Sequence, residues 1–320
     1  MNMKYATIIS LFFIFSCNSL IKNEDAKIND EVASKSEENS VEKPSTPTNS
    51  NTNLIVKSKE DLIGNWVGWF EPDIENNEID ETYYDTEMWG RENKISLCID
   101  KIEGDRIIGH SVVAGNNRPF QGSIVETDSS FNASIEEPGD NKYDGKFLFT
   151  ISKSDTLIKG NWTSFKKIDV SRRKYELAKK AFQYNASQNL NEEDYRQFID
   201  WEKTRQNKKS IGDEVYAVEE FVTSTNSIYK FNASTQELKK SDVENLKRPD
   251  LQIIRNMIYA RHGYSFKNRP LRVFFDAQDW YVPVSNDVKD ELTEVEKKNI
   301  QLLLKYEKSA KEYYDYFGRL

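Results

Sequence analysis

Hydrophobic and polar positions change their spacing several times along the chain. Ala6 to Phe15 is a short, mostly apolar run behind Lys4. A membrane-spanning helix needs about 20 apolar residues, so this run predicts an export signal rather than a lasting anchor. From Asn18 to about Asn53 the chain is rich in Ser, Asn, Glu, Lys and Thr, with Pro44 and Pro47 and almost no aromatics. Such a stretch cannot bury enough apolar area to offset its ordering entropy, and it predicts a disordered tether. At about 5–6 Å × √n that tether reaches roughly 30–35 Å.

The spacing then falls to two. Gly64-Asn65-Trp66 opens a strand, and Gly160-Asn161-Trp162 recurs in what reads as the last one. Ile95, Leu97 and Ile99 share one strand face, and Gly104-Asp105 makes a tight hairpin into Arg106 to Val113. Phe120 to Ile124 is a further strand, and Phe147, Phe149 and Ile151 line one face of a later strand. A Ser154-Asp155 turn leads into Thr156 to Phe165. Regular strands joined by turns predict an antiparallel meander that closes as a small barrel or sandwich over 58–166. Trp66 is expected to plug its core; the sharper alternative is that Trp66 and Trp162 line a ligand cavity.

Helical spacing follows. Ser171 can cap a helix carrying Tyr175, Ala178, Lys179 and Phe182; Asn191 can cap a second with Tyr195, Phe198, Ile199 and Glu202. This predicts a helical connector over 167–208. Beyond it, Ser241 with Glu244 reads as a capping box, and Asp250 as the cap of a helix ending at about His262, where Gly263 can turn left-handed. Thr293 with Glu296 caps a final helix through Ile300, Leu303, Leu304 and Tyr306. Trp280, Tyr281 and Pro283 are placed to clamp these helices. The expected class is α+β and multidomain. Its parts are a signal segment 1–16, a tether 17–57, a β-barrel 58–166, the connector 167–208 and a mainly helical module 209–320.

Composition narrows the functions. The net charge is -8, from 45 Lys+Arg against 53 Asp+Glu, which argues against a nucleic-acid partner. Two Cys and two His among 320 residues argue against a disulfide framework and against a zinc site of Cys and His. No Gly-x-Ser-x-Gly, His-Glu-x-x-His or phosphate loop is present, so neither a cofactor nor a metal is called for. His110, on a strand face with Ile108 and Val112, reads as a packed or rim residue, and Cys98 as a small buried one. The acidic run from Glu71 to Glu81 reads as a solvated loop.

Ile14-Phe15-Ser16-Cys17 resembles a bacterial lipobox. The resemblance implies cleavage before Cys17 and lipidation of that residue. Several acyl chains would hold the protein on a membrane, since each buried CH₂ adds about 0.8 kcal/mol. The implied location is the bacterial envelope, the outer membrane above all, on its periplasmic or surface face. The Gly-x-Trp of the first strand, with its echo later, resembles lipocalin-type barrels. Tyr259-Ala260-Arg261-His262-Gly263 spells the signature of the YARHG domain family. Phe231 and Leu238 to Asp242 upstream, and Phe274-Phe275, Trp280 to Pro283 and Glu296 to Ile300 downstream, extend the likeness over about 230–308. The chain departs from the family at Met257, where the family usually carries Glu. The resemblance implies an extracytoplasmic bacterial domain without an established activity.

Between Leu251 and Phe275 lie Arg255, Arg261, Lys267, Arg269 and Arg272, with no Asp or Glu. Arginine forks suit carboxylate or phosphate. The set, with His262, therefore reads as a ligand-binding face for an anionic envelope polymer such as peptidoglycan. The competing reading makes Arg255 and Arg261 structural, paired with Asp276, Asp279 or Glu296, and His262 a last-turn cap. The leading function is a non-catalytic binding or structural lipoprotein, with a partner envelope protein as another occupant. The alternatives are an envelope hydrolase using Asp276 and Asp279, or a carrier of a small apolar ligand inside the barrel.

Overall fold

The computed structural model describes residues 56–77, 91–191, 197–211 and 214–310. The export signal, Cys17 and the tether up to residue 55 lie outside the described residues.

Eight antiparallel strands close into a barrel: β1 (Gly64–Pro72), β2 (Asn93–Glu103), β3 (Arg106–Val113), β4 (Asn116–Glu126), β5 (Ser130–Glu136), β6 (Gly145–Ser152), β7 (Leu157–Ser164) and β8 (Arg172–Lys179). Closure comes from β1, which pairs with β2 on one side and β8 on the other. Alternation sets the inside. Trp66 and Phe70, Ile95 to Ile99, Phe147 to Ile151, Trp162, Tyr175 and Leu177 fill one core. Trp66 is fully buried, and its Nε1 donates to Leu62 O at 2.8 Å, so it is the expected plug. Trp162 lies 5.5 Å from Phe70 and 6.3 Å from Phe147, ring centre to ring centre. Aromatic and aliphatic side chains from all eight strands pack together there.

The connector is the main correction. The predicted helix after Ser171 is β8, so Gly160-Asn161-Trp162 lies in the last strand but one. The barrel runs past 166, to Lys179. Tyr175 and Leu177 point inward at strand spacing and fill the last gap in the core. Residues 180–191 continue without helix, and Ile199 and Glu202 of the second predicted helix lie in a strand; residues 192–196 lie outside the described residues. Ile199–Ile211 (β9) and Glu214–Thr223 (β10) form a two-stranded antiparallel ribbon. Among its cross-strand pairs, Arg205 Nη2 donates to Glu220 Oε2 at 2.9 Å.

The C-terminal module carries four helices: α1 (Lys240–Val243), α2 (Arg248–Arg261), α3 (Arg269–Asp276) and α4 (Glu294–Ser309). Two caps differ from expectation. Asp242, not Ser241, closes the start of α1 by accepting from Lys239 N at 2.7 Å. Asp250 lies inside α2 and accepts instead from Thr225 N and Oγ1, tying the helix to the chain leaving β10. The Thr293–Glu296 capping box of α4 is as expected. Helix α2 buries two stripes. Ile254 and Ile258 pack with Ile300 and Leu303 of α4, while Ile253, Met257 and Ala260 pack with Phe266, Phe274, Phe275 and Tyr281. Met257 is thus a core residue.

The module sits on the outer face of β2 and β3. Outward-facing Ser96 and Val112 are 1% and 0% exposed there. Lys94 of β2 enters the module: its backbone N–H donates to Asp276 Oδ2 at 2.8 Å, and its Nζ donates to Gln278 O at 2.7 Å and Tyr281 O at 3.2 Å. Burial pulls the Lys94 ammonium below the usual lysine range and pushes the Asp276 carboxyl up; their mutual attraction opposes both shifts.

Candidate functional site

The five signature residues sit at the end of α2, and each has an internal task. Tyr259 is half-buried, 5.9 Å from the Tyr264 ring. Ala260, 1% exposed, lies in the core. Arg261, 4% exposed, donates from Nε to Gln188 O at 2.9 Å and from Nη1 to Ser234 Oγ at 3.0 Å. His262 lies with its Nε2 2.8 Å from Glu296 Oε2, and the Tyr184 ring stacks on its imidazole at 4.2 Å. Gly263 has φ +71° and ends the helix: its N–H donates to Ala260 O, and the N–H of Tyr264 donates to Tyr259 O.

Glu296 is the hub. Its Oε2 also accepts from Thr293 N at 2.9 Å and from Thr293 Oγ1 at 3.1 Å, and its Oε1 accepts from Tyr184 Oη at 3.0 Å. Burial alone would raise this carboxyl; the bonds from His262, Ser234 and Thr293 outweigh it and hold it at about 2. The network joins α2, the start of α4 and the extended chain after β8. Glu296, His262 and Arg261 are buried in it, and Tyr184 is half-buried.

Arg255 binds Glu307 through two bonds, at 2.6 and 3.1 Å. In the structural reading Arg255 thus has Glu307 as its partner rather than Asp276, Asp279 or Glu296, while Arg261 bonds Gln188 and Ser234 and lies in the field of Glu296. His262 does occupy the C-cap position, but its ring is committed to Glu296. Of the six residues expected to bind a ligand, three have internal partners, Arg255 within the module and Arg261 and His262 partly in the chain after β8.

The other three gather at the seam. Lys267 is exposed, and Asn268 caps α3 by accepting from Leu271 N. Arg269 opens that helix. Arg272 donates from Nη1 to Lys267 O at 3.0 Å, while its buried Nε has no hydrogen-bond partner. Two barrel arginines that sequence reasoning missed join them. Arg173 of β8 donates from Nη1 to Phe70 O at 2.9 Å and to Arg91 O at 2.6 Å. Burial pulls Arg173 down to about 10, and the charges of Arg272 and Arg91 add to that. Arg91 is lowered by burial and by Arg269, and Arg272 by burial and by Arg269. Four guanidinium groups thus lie within one another's fields. Asp169 offsets the cluster at Arg91, and Asp276 and Glu202 offset it at Arg272.

The carboxylates considered for hydrolysis differ in burial and partners. Asp276 is 3% exposed and bonded to Lys94, while Asp279 is exposed. Both border a groove of about 980 Å³ between the module and β1, β7 and β8, which Trp69, Lys159 and Glu176 also line. Elsewhere, Glu137 is buried at the barrel rim. Burial lifts its carboxyl to about 7 against the bonds it accepts from Ser111 Oγ and Gly145 N. This acid holds the β5–β6 turn and borders neither the groove nor the seam.

His110 is not isolated. Its Nδ1 lies 3.0 Å from Asp100 Oδ2, and the Cys98 thiol lies 3.3 Å from Asp100 Oδ1. Cys98 is half-buried rather than buried; burial first, then Asp100, pushes its thiol up to about 12. No spacing rule flagged these three, because the strand pairing of β2 with β3 brings them together.

Fold and site define a closed antiparallel barrel bearing a helical module whose most distinctive residues fasten the module internally. Residues 226–308 match the model of the YARHG domain, so this module is a YARHG domain. Such domains are typical of extracellular or envelope-associated proteins. Neither a curated protein nor a solved structure matches the chain.

Proposed function

We propose that this chain is a lipid-anchored bacterial envelope protein that acts by binding, not catalysis, and holds an anionic envelope polymer against the basic seam. The observation that carries this reading is the convergence of Arg91 and Arg173 from the barrel with Arg269 and Arg272 from the module, in a protein of net charge -8. Half-buried arginines repel one another, and an anion bridging them relieves that cost. Lys267 extends the same face into solvent. The seam needs both bodies, which gives the barrel a role beyond carrying the module.

The test is co-sedimentation of the full chain with purified peptidoglycan sacculi. The wild type is expected to pellet with the sacculi at low salt and to release as salt screens the contact. The double variant Lys267→Glu, Arg269→Glu is expected to bind at least about tenfold more weakly, since each charge-assisted contact contributes about 1.5 kcal/mol. Arg272 is left intact because it is partly buried. Equal retention of the double variant removes the basic seam as the binding surface.

The anchor is tested separately. Radiolabelled palmitate is expected to enter the wild-type product and to be absent after Cys17→Ala. Equal labelling of both places the acyl chain elsewhere. The short apolar run before Cys17, and the YARHG domain after it, support this location.

A further inference from the structure

We infer that Cys98, Asp100 and His110 form a binding site for a borderline-soft divalent cation of the zinc type on the outer wall of the barrel. The argument starts from strand register. Cys98 of β2 pairs directly with His110 of β3, so both side chains leave the same face. The pairing then passes from Ile99–Gly109 to Lys101–Ile108, so Asp100 is the extra residue of a β-bulge. Bulges re-aim side chains, and this one turns a carboxylate toward the other two groups.

The spacing fits a metal. Zinc bonds of about 2.3 Å to sulfur, 2.0–2.1 Å to nitrogen and 2.0–2.2 Å to oxygen, at tetrahedral angles, give ligand-to-ligand edges of about 3.5 Å for S···O and 3.3 Å for N···O. The observed separations are 3.3 Å for Cys98 Sγ to Asp100 Oδ1 and 3.0 Å for His110 Nδ1 to Asp100 Oδ2. All three ligand atoms lie within 4.8 Å of one another. The two short contacts go to different oxygens of Asp100, so the carboxylate lies between the other two ligands, and a turn of it is needed to set one oxygen beside both.

Charge points the same way. Among the described residues, His110 is the one ionisable base paired with Asp100; no lysine or arginine neutralises the carboxylate. The side chains of His110 and Asp100 are 29% and 48% exposed, so an ion can enter from solvent. A thiolate and an imidazole select zinc-like ions over magnesium and calcium, which take oxygen ligands. Three protein ligands leave a fourth position for water. The two-His, two-Cys composition hides this site, since β2 supplies Cys98 and Asp100 and only the pairing with β3 adds His110.

The experiment uses the full chain, stripped with a chelator and titrated with Co²⁺. The expected result is one equivalent bound, a thiolate-to-cobalt charge-transfer band in the near ultraviolet, and displacement by Zn²⁺. Cys98→Ser is expected to abolish the band. Asp100→Asn and His110→Ala are expected to weaken binding by about 10–100-fold or more, at least the loss seen when a supporting neighbour of a ligand is removed. Zn²⁺ should also raise the melting temperature of the wild type and not that of Cys98→Ser. Far-ultraviolet circular dichroism checks that the variants fold. A missing band, or one that survives Cys98→Ser, overturns the assignment, the second outcome tracing the sulfur to Cys17.

Discussion

Glu296→Ala is expected to lower the unfolding free energy by about 3–5 kcal/mol, because it leaves buried His262, the Thr293 N–H and the Tyr184 hydroxyl without their acceptor. Glu296 is fully buried and receives bonds from all three. Glu296→Gln keeps a similar shape and part of the bonding, so its cost should be smaller, about 1–2 kcal/mol. The two also differ in pH response. The folded carboxyl sits at about 2, below its unfolded value of 4.5. The folded state therefore binds fewer protons between those values, and stability rises with pH across that window. The contribution is present above about pH 4.5 and is lost as pH falls through about 2. Its size is on the order of 3 kcal/mol. Urea unfolding at pH 7 and pH 3 should show the wild type losing part of this contribution and Glu296→Gln losing less. An equal pH response in the two proteins would show that Glu296 is not the group titrating.

Gly263→Ala is the second large effect, with an expected loss of about 2–4 kcal/mol. Two costs combine. A left-handed backbone at φ +71° costs a residue with Cβ about 1–2 kcal/mol. The new Cβ would also lie 2.5 Å from Val284 Cγ2, 2.9 Å from Phe182 Cε2 and 2.9 Å from Val282 O, and such overpacking costs about 1–3 kcal/mol. Gly104→Ala separates the two. Gly104 has φ +60° in the β2–β3 hairpin, but nothing lies within 4 Å of its added Cβ. Its loss should stay near 1–2 kcal/mol. Matching losses at both positions, read from urea midpoints, would mean that packing around Gly263 contributes nothing.

What the sequence revealed follows the range of each interaction. The Gly104-Asp105 hairpin, the Thr293–Glu296 box and the turn at Gly263 depend on neighbours within a few residues, and each formed as expected. The connector misled because Tyr175, Ala178 and Phe182 can be read at helical spacing, whereas Tyr175 and Leu177 also alternate. What decided between them was the open edge of β1, which β8 closes from about 100 residues away. The ribbon β9–β10 gave little signal because β9 is charged and polar from Glu202 to Ser210 and the apolar residues of β10 do not alternate. The partners of the signature were illegible for the same reason. Arg255 finds Glu307 at a separation of 52 residues, and Arg261 finds Gln188 at 73. The arginines at the seam were half legible: Lys267, Arg269 and Arg272 stood out in an acid-free window, while Arg91 and Arg173 belong to the barrel.

The fasteners at Arg261, His262 and Gly263 draw on Gln188, Tyr184 and Phe182, all upstream of residue 226, where the family match begins. The stretch matched by the family and the stretch that packs together are therefore different lengths. If recombination moved residues 226–308 to another host, they would arrive with a guanidinium and an imidazole awaiting a carbonyl and a flat ring. A new neighbour would have to supply both, so the graft selects its host at two points of contact rather than along its whole surface.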